Sequence, residues 1–441
     1  MKNQRKNYLS KIPTFRVGID GFNLSLEKGT GVATYARTLA RALSELGLPV
    51  DALFGLDIPN KCDAIMREVH FFDKLATTNH TKTPPIFSKK WFQARKSDWA
   101  STSPIEIPIT GRVDSRSFSG RLPIFDRIIN SNNIFQKSAR YFKRTGKFAV
   151  VNIPNPPKIM HWTYPLPIEV SGSTNIYTVH DLVPLKLPHT TLDDKNYYYH
   201  LLKNLENRAH GICTVSEASK RDILTFFPKM ASRLYNTYEA CDTDRLAFHR
   251  TDLSCLIEIK ANFDLSQHSY FIFFGSLEPK KNIGRAINAF LSSNSKRKLV
   301  IIGAMRWKSD EELRYVQHGI SVNRIIMVNY LPERTLFALL RHARALLFPS
   351  LSEGFGLPVL EAMHCGVPVL VSKEGALPEI TGNAALQIDA YNEDEITNAI
   401  NRLDCDDDLC ESLVLKGYEQ VKKFSMVFYK KRLIEMYNSV S

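Results

Sequence analysis

The sequence predicts an α/β protein built as two doubly wound parallel sheets facing a cleft. Three observations predict it. Short apolar runs alternate with segments of helical period through both ends of the chain. At 441 residues the chain exceeds one compact core, so two domains are expected. Around 345–363 an apolar run, a Gly-bounded loop and a Pro in the first helical turn follow one another, the layout of a phosphate site.

The elements read in order as follows. Phe15 to Asp20 is a first strand. Gly29-Thr30-Gly31 opens a helix from Val32 to Leu46. Its apolar positions Val32, Tyr35, Ala36, Leu39, Ala42, Leu43 and Leu46 recur at helical spacing. Gly47 and Pro49 end it, and Val50 to Phe54 is the second strand. This βαβ opening implies a parallel sheet. From about 60 to 150 the periodicity weakens. Pro84-Pro85, Ser101 to Pro104 and Ser115 to Gly120 read as loops. Segment 124–147 mixes Phe125, Ile128, Ile129, Ile134 and Phe135 with Arg127, Lys137, Arg140, Lys143, Arg144 and Lys147. That mixture suits a helix lying on a membrane interface, and equally a helix packed on the sheet.

Order returns at Lys158 to Trp162 and at Asn175 to Asp181, two strands ending in polar groups. Gly211 to Val215 is a further strand. Ser216 to Ser219 then caps a helix, with Glu217 supporting its start. A second α/β unit begins near 270. It has a strand at Tyr270 to Phe274, the turn Gly275 to Asn282 and a helix through Phe290. Strands at 298–302 and 324–328, a helix over 333–343, and strands at 345–348, 367–371 and 385–388 follow. The tail from Phe424 to Val440 is helical.

Hydrophobic content of 44% and charged content of 23% are those of a soluble globular protein. No apolar run reaches the ~18–20 residues that span a membrane. The basic N-terminus, Met1 to Lys6, leads into no apolar signal core. Seven cysteines are scattered without CxxC spacing, which suggests neither a zinc site nor a disulfide framework. The chain reads as reduced and cytosolic. Of the formal charge of +13, residues 61–150 hold 17 Lys/Arg against 7 Asp/Glu, a net of +10. Such a field attracts anionic lipid, phosphorylated acceptors or nucleic acid. A solvated basic surface accounts for it equally. No RNP, KH or zinc-finger pattern supports nucleic-acid binding.

The chemistry concentrates at Ser350 to Met363. Glu353 lies in the loop and Glu361 one turn into the helix. Backbone N–H groups of Gly354, Phe355, Gly356 and Leu357 would point at an anion, with the helix dipole behind them. Glu361 would accept two hydroxyl hydrogen bonds from a ribose, each worth roughly 1.5–3 kcal/mol. The plain alternative is a surface turn with a Glu favoured near the helix start.

Glu353 and Glu361, in the setting Glu353 to Met363, resemble the signature of retaining nucleotide-sugar glycosyltransferases of the GT-B fold, family-4 type. Cys365 to Ser372 and Gly375 to Glu379 fit that family too. So do Gly29 to Gly31, His180 to Pro184, Val215 to Asp222, Gly275 to Asn282, and Gly303 with Trp307. The resemblance runs through both halves and skips about 60–150. It implies two Rossmann-like domains, 1–255 on the acceptor side and 256–420 on the nucleotide-sugar side. Residues 60–150 would be a basic insertion, and 421–441 a helix returning to the first domain.

The resemblance also implies roles. Lys281 would hold the donor diphosphate and stabilise the leaving group. Lys280 would assist it, because the Arg common in the family is Ser276 here. Glu353 would face the sugar hydroxyls or the anomeric carbon, and Glu361 the ribose. His180, oriented by Asp181, would hydrogen-bond the donor sugar. Gly31 would let the backbone approach the transferred group. Transfer would proceed with retention, by front-face attack, without a catalytic metal or any cofactor besides the donor itself. Closure of the domains would exclude water. The acceptor would be a glycan or lipid-linked glycan of the lipopolysaccharide kind. The enzyme would be cytoplasmic, with segment 61–150 touching the inner face of an anionic membrane.

His161 reads as structural or acceptor-facing. Asp242-Thr243-Asp244 reads as a turn in the linker, and the family's Phe-Ser-Trp is Phe424-Ser425-Met426 here. Three competing readings stand. Gly29-x-Gly31-x-x-Thr34, with Asp51 twenty residues after Gly31, fits the ribose-binding acid of a nicotinamide oxidoreductase. Thr34 spoils its third glycine, and Glu353 with Glu361 goes unexplained. An epimerase or phosphorylase on the same fold keeps the diphosphate logic. A catalytically idle subunit docking through 61–150 would be marked by loss of Lys281 or Glu353, and both are present.

Overall fold

The structure is a computed structural model, and it describes residues 15–26, 31–59, 62–77, 104–118, 122–123, 125–242, 246–304 and 310–440. Ten strands come from the N-terminal half: β1 (Val17–Asp20), β2 (Val50–Phe54), β3 (Ile105–Ile107), β4 (Arg127–Asn130), β5 (Ala149–Val151), β6 (Ile159–Trp162), β7 (Ile168–Val170), β8 (Thr174–Thr178), β9 (Gly211–Thr214) and β10 (Leu234–Asn236). Eight form one sheet in the order β10-β9-β8-β6-β1-β2-β4-β3. Every pairing in it is parallel except β3 with β4. β5 and β7 pair separately.

The second half contributes β11 (Tyr270–Phe274), β12 (Lys298–Ile302), β13 (Ile325–Val328), β14 (Leu346–Phe348), β15 (Val369–Ser372) and β16 (Leu386–Ile388). They form one parallel sheet in the order β13-β12-β11-β14-β15-β16. The apolar runs follow from this topology. A parallel sheet is covered on both faces, so its strands carry apolar residues on both sides. All five residues of β11 are buried.

The helix Gly31–Glu45 buries Tyr35, Ala36, Leu39, Ala42 and Leu43, the stripe that the spacing predicts. It ends at Gly47, whose φ of +73° only glycine adopts freely. The Leu48 N–H returns to Leu43 O at 3.0 Å. The helix Met426–Val440 buries Tyr429, Leu433, Met436 and Tyr437. It lies on the N-terminal half: Lys430 Nζ is 2.8 Å from Glu45 Oε2, and Tyr437 OH is 2.7 Å from His161 Nδ1. The returning helix of the GT-B arrangement is therefore present.

Segment 60–150 carries regular elements that its weak periodicity does not reveal. Helix Ala64–Thr77 buries Phe71, Phe72 and Leu75. β4 joins the main sheet beside β2, so the segment extends the first half and is not set apart from it. The single helix expected over 124–147 is β4 followed by helix Ile134–Thr145. Ile134, Phe135 and Phe142 of that helix are buried in the protein core, so its apolar face is spent there and not on a membrane. Pro84, Pro85, Trp91, Phe92 and Ile124 lie outside the described residues.

Asp51 shows why spacing alone misleads. It sits near the start of β2, away from the strand's C-terminal end, where a crevice would lie. Its two oxygens take Arg16 Nη1 and Arg127 Nη2, each at 2.7 Å. The acid that a dehydrogenase would give to ribose is held by two arginines. Helix Asp252–Phe263 crosses residue 255 and packs on helix Glu333–Arg341 of the second half. Among the described residues, no helix is long and apolar enough to cross a membrane.

Candidate active site

The C-terminal ends of β6 and β8 face the loops that follow β11 and β14. The β11 loop starts at Gly275, with φ of +143°. A Cβ on Gly303, at the end of β12, would lie 1.9 Å from Gly275 O, so that approach demands glycine. The chain then makes a tight turn, Pro279–Lys281, closed by Asn282 in the left-handed region. Asn282 Nδ2 donates to Pro349 O and Ala390 O. The Leu351 N–H donates to Lys280 O at 2.7 Å. These bonds fasten the two loops together.

Lys281 and Glu353 meet as a result. Nζ lies 2.6 Å from Oε1, and both side chains are about nine-tenths buried. Lys281 Nζ also stands 4.8 Å above the Phe348 ring, a cation–π contact. Gly375, with φ of +60°, backs Glu353: a Cβ there would come within 2.8 Å of the Glu353 backbone. Lys280 lies beside this pair. Burial pulls its pKa down, but the carboxylates of Asp181, Glu353, Glu278 and Asp193 outweigh that and raise it.

Gly356, with φ of +114°, precedes the helix Leu357–His364, and Pro358 sits in its first turn. Phe355 is buried against Phe424, with ring centroids 5.6 Å apart. Glu361 is buried within the helix. Gly354 makes the contact across the cleft. A Cβ on it would lie 2.6 Å from His180 O. The Ser219 hydroxyl donates to His180 O at 2.8 Å and lies 3.3 Å from Gly354 O.

His180 is placed at the cleft, but its ring is engaged by the protein. Nε2 is 2.9 Å from Thr163 O, and Nδ1 is 3.5 Å from Glu239 Oε1. Tyr35 stacks edge-on at 4.8 Å. Asp181 does not orient it, contrary to expectation. The Asp181 carboxylate receives the Val183 N–H and its carbonyl receives the Tyr198 hydroxyl. Burial opposes the charged imidazole, yet Glu239 and Thr163 raise the His180 pKa overall. His161 is structural. It is fully buried between Tyr437 OH and Thr178 Oγ1, and burial lowers its pKa to about 3.

Gly31 begins its helix, and a Cβ there would meet nothing within 4 Å. Protein crowding therefore does not account for the glycine. Asp242 forms an ion pair with Arg41. Gly29, Thr30, Thr243, Asp244 and Trp307 lie outside the described residues. Among the described residues, no group of three or more His, Cys, Asp or Glu is arranged to hold a metal ion.

Sequence reasoning missed three carboxylates. Asp20, at the end of β1, receives the Thr163 and Phe22 N–H groups, and burial raises its pKa to about 6. Glu239 faces His180 from the segment after β10. Glu379 receives the Glu217 and Ala218 N–H groups at 2.9 Å each, so a carboxylate of the second half caps a helix of the first. Asp20 meets Thr163, Glu239 meets His180 and Glu379 meets Glu217 across more than fifty residues of sequence, which local pattern cannot show.

Comparison with known proteins bears on this arrangement. Residues 258–420 match the family described as glycosyl transferases group 1. O-antigen chain mannosyltransferase B of Escherichia coli is 32% identical over 255 residues, 57% of this chain and 66% of that protein. The serotype-specific mannosyltransferase WbdA of Escherichia coli is 26% identical over 275 residues, 60% of this chain and 33% of that protein. The chain thus spans just under two thirds of the first relative and a third of the second. Anabaena Alr3699/HepE, solved in complex with UDP, superposes with a TM-score of 0.62 at 13% identity, covering 97% of this chain and 100% of that one.

Proposed function

We propose, from the premise that this chain carries a group 1 glycosyltransferase domain on a GT-B fold, that it moves a mannosyl group from a nucleoside-diphosphate donor to a growing glycan. The mannosyl assignment rests on the two relatives named as mannosyltransferases. The observation that carries the reading is the Lys281–Glu353 pair, set at the start of helix Leu357–His364 and opposite His180.

A donor diphosphate would lie against the N–H groups of Gly354 to Leu357 and draw Lys281 from Glu353. Negative charge grows on the diphosphate as the glycosidic bond breaks, so a cation there favours the transition state over the ground state. Lys280 adds charge to the same face. Glu353, released, would hold the sugar, and Glu361 the ribose. The open space at Gly31 would admit the donor's phosphate or the transferred sugar. Retention follows in this reading from front-face attack, with the departing phosphate taking the acceptor proton. No metal is required, because the lysines supply the positive charge. The acceptor would be a lipid-linked glycan, and the net charge of +10 over 61–150 would hold the enzyme near anionic lipid.

Calorimetric titration with GDP, UDP, ADP, dTDP and NAD, beside Glu361→Ala, tests the reading. Selective binding of one nucleoside diphosphate, weakened by the substitution, supports it and names the base. Binding of NAD alone would transfer the assignment to redox chemistry.

A further inference from the structure

A buried histidine and a partly buried one flank the Tyr35 ring, at neighbouring strands, in opposite chemical settings. His161 on β6 faces the hydroxyls of Tyr437 and Thr178. A hydroxyl donates or accepts as required, so a neutral imidazole satisfies both contacts. His180, just past β8, faces a backbone carbonyl at Nε2 and a carboxylate at Nδ1. Neither can donate while Glu239 is ionised. A neutral imidazole carries one N–H and would leave one buried acceptor opposite a bare nitrogen lone pair.

We infer that Glu239 acts as a positioning residue that holds the His180 ring doubly protonated, placing a fixed positive charge beneath the cleft. The Glu239 side chain is only 8% exposed, and a buried carboxylate without a counter-charge is costly. The other groups facing His180 allow the cation. Tyr35 presents its ring edge-on, His161 stays neutral, Asp181 is negative, and Ser219 binds the backbone oxygen. The carbonyl of this residue touches Gly354, the neighbour of Glu353. The charged ring is therefore carried on the segment that borders the loop of the Lys281–Glu353 pair. There it adds to the lysines in favouring an anionic diphosphate, a role that rests on the transfer reading above.

The ring's protonation state is measurable without any activity. Histidine-labelled full-length protein is titrated by nitrogen-15 NMR, with His180 assigned by its loss in His180→Gln. The expected result is a His180 that stays doubly protonated above pH 6.5, where a free histidine is half-charged. In Glu239→Gln its midpoint should fall by one unit or more. A wild-type His180 already neutral at pH 6.5 overturns the inference even if the variant does not fold. So does a midpoint unmoved by Glu239→Gln in a folded variant. Calorimetry with nucleoside diphosphates reports separately on the transfer reading, so the two can fail independently. Where transfer is reconstituted, kcat should fall with rising pH, and that fall should move to lower pH in Glu239→Gln.

Discussion

Lys281 Nζ lies 2.6 Å from Glu353 Oε1, with both side chains about nine-tenths buried. Two residues given separate roles by sequence are one ion pair before any donor arrives. The pair reads as a spring-loaded site: each partner neutralises the other until a diphosphate competes. Lys281→Ala removes the cation and leaves a buried carboxylate, which costs about 3–5 kcal/mol of stability. It should also weaken nucleoside-diphosphate binding roughly 10- to 150-fold, the worth of one charge-assisted bond. Glu353→Ala should differ. It frees Lys281, so nucleoside-diphosphate affinity should hold or rise while transfer drops at least about tenfold. Calorimetry and a transfer assay on both variants decide it; equal loss of affinity in both would remove the assignment.

Gly354 tests the contact between the halves. A Cβ there would sit 2.6 Å from His180 O, which is backbone and yields little. Gly354→Ala should push the halves apart and slow transfer by about 10- to 100-fold, in line with the cost of a misplaced reacting group. Thermal stability should change little, since the apolar core is untouched. A variant with wild-type rate would show that this approach is not the working geometry.

Glu379 joins the halves by a different chemistry. It places its carboxylate on the Glu217 and Ala218 N–H groups, where the helix dipole favours a negative charge. Two charge-assisted bonds, each about 1.5–3 kcal/mol, are lost in Glu379→Ala. The variant should be more open, with a larger radius of gyration by small-angle scattering and a raised KM. Unchanged scattering at low salt would mean that the core alone fixes the two halves.

Much of this was legible in the sequence, and the reason is physical. Buried parallel strands need unbroken apolar runs, so β1, β2, β11 and β12 could be read directly. Tight turns need glycine, so Gly275, Gly356 and Gly375 marked the loops that hold the site. Segment 60–150 was not legible, because β3 is only three residues long and β4 has just two apolar residues between Arg127 and Asn130. Arg127, which made that stretch look interfacial, is bonded to Asp51. The polar partners of His180 were equally hidden. Asp181 is its neighbour in sequence, but Glu239 arrives from the far side of β10, and only the fold brings it there.

The buried His161 sets a pH dependence of stability. Folding lowers its pKa to about 3, mainly by burial, from an ordinary value near 6.5. The stabilisation this represents is fully present above pH 6.5. It is lost as pH falls, because the unfolded chain gains a proton that the folded protein refuses. The loss runs at about 1.4 kcal/mol per pH unit toward pH 3. Asp20 acts in the opposite sense. Its carboxyl, raised to about 6 by burial, takes up a proton in the folded state first, which stabilises the fold as pH drops from 6 toward 3.8. The two therefore offset each other between about pH 6 and 4, and the wild-type protein should show a flatter profile there than either group alone would give. His161→Gln breaks the balance. It should cost stability at pH 7, where the bonds to Thr178 and Tyr437 are weakened. By pH 5 that deficit should shrink by about 2 kcal/mol, since the variant has no imidazole to protonate on unfolding. Urea unfolding of both proteins at pH 7 and pH 5 measures the difference, and an identical deficit at the two pH values would show that His161 does not titrate as its burial requires.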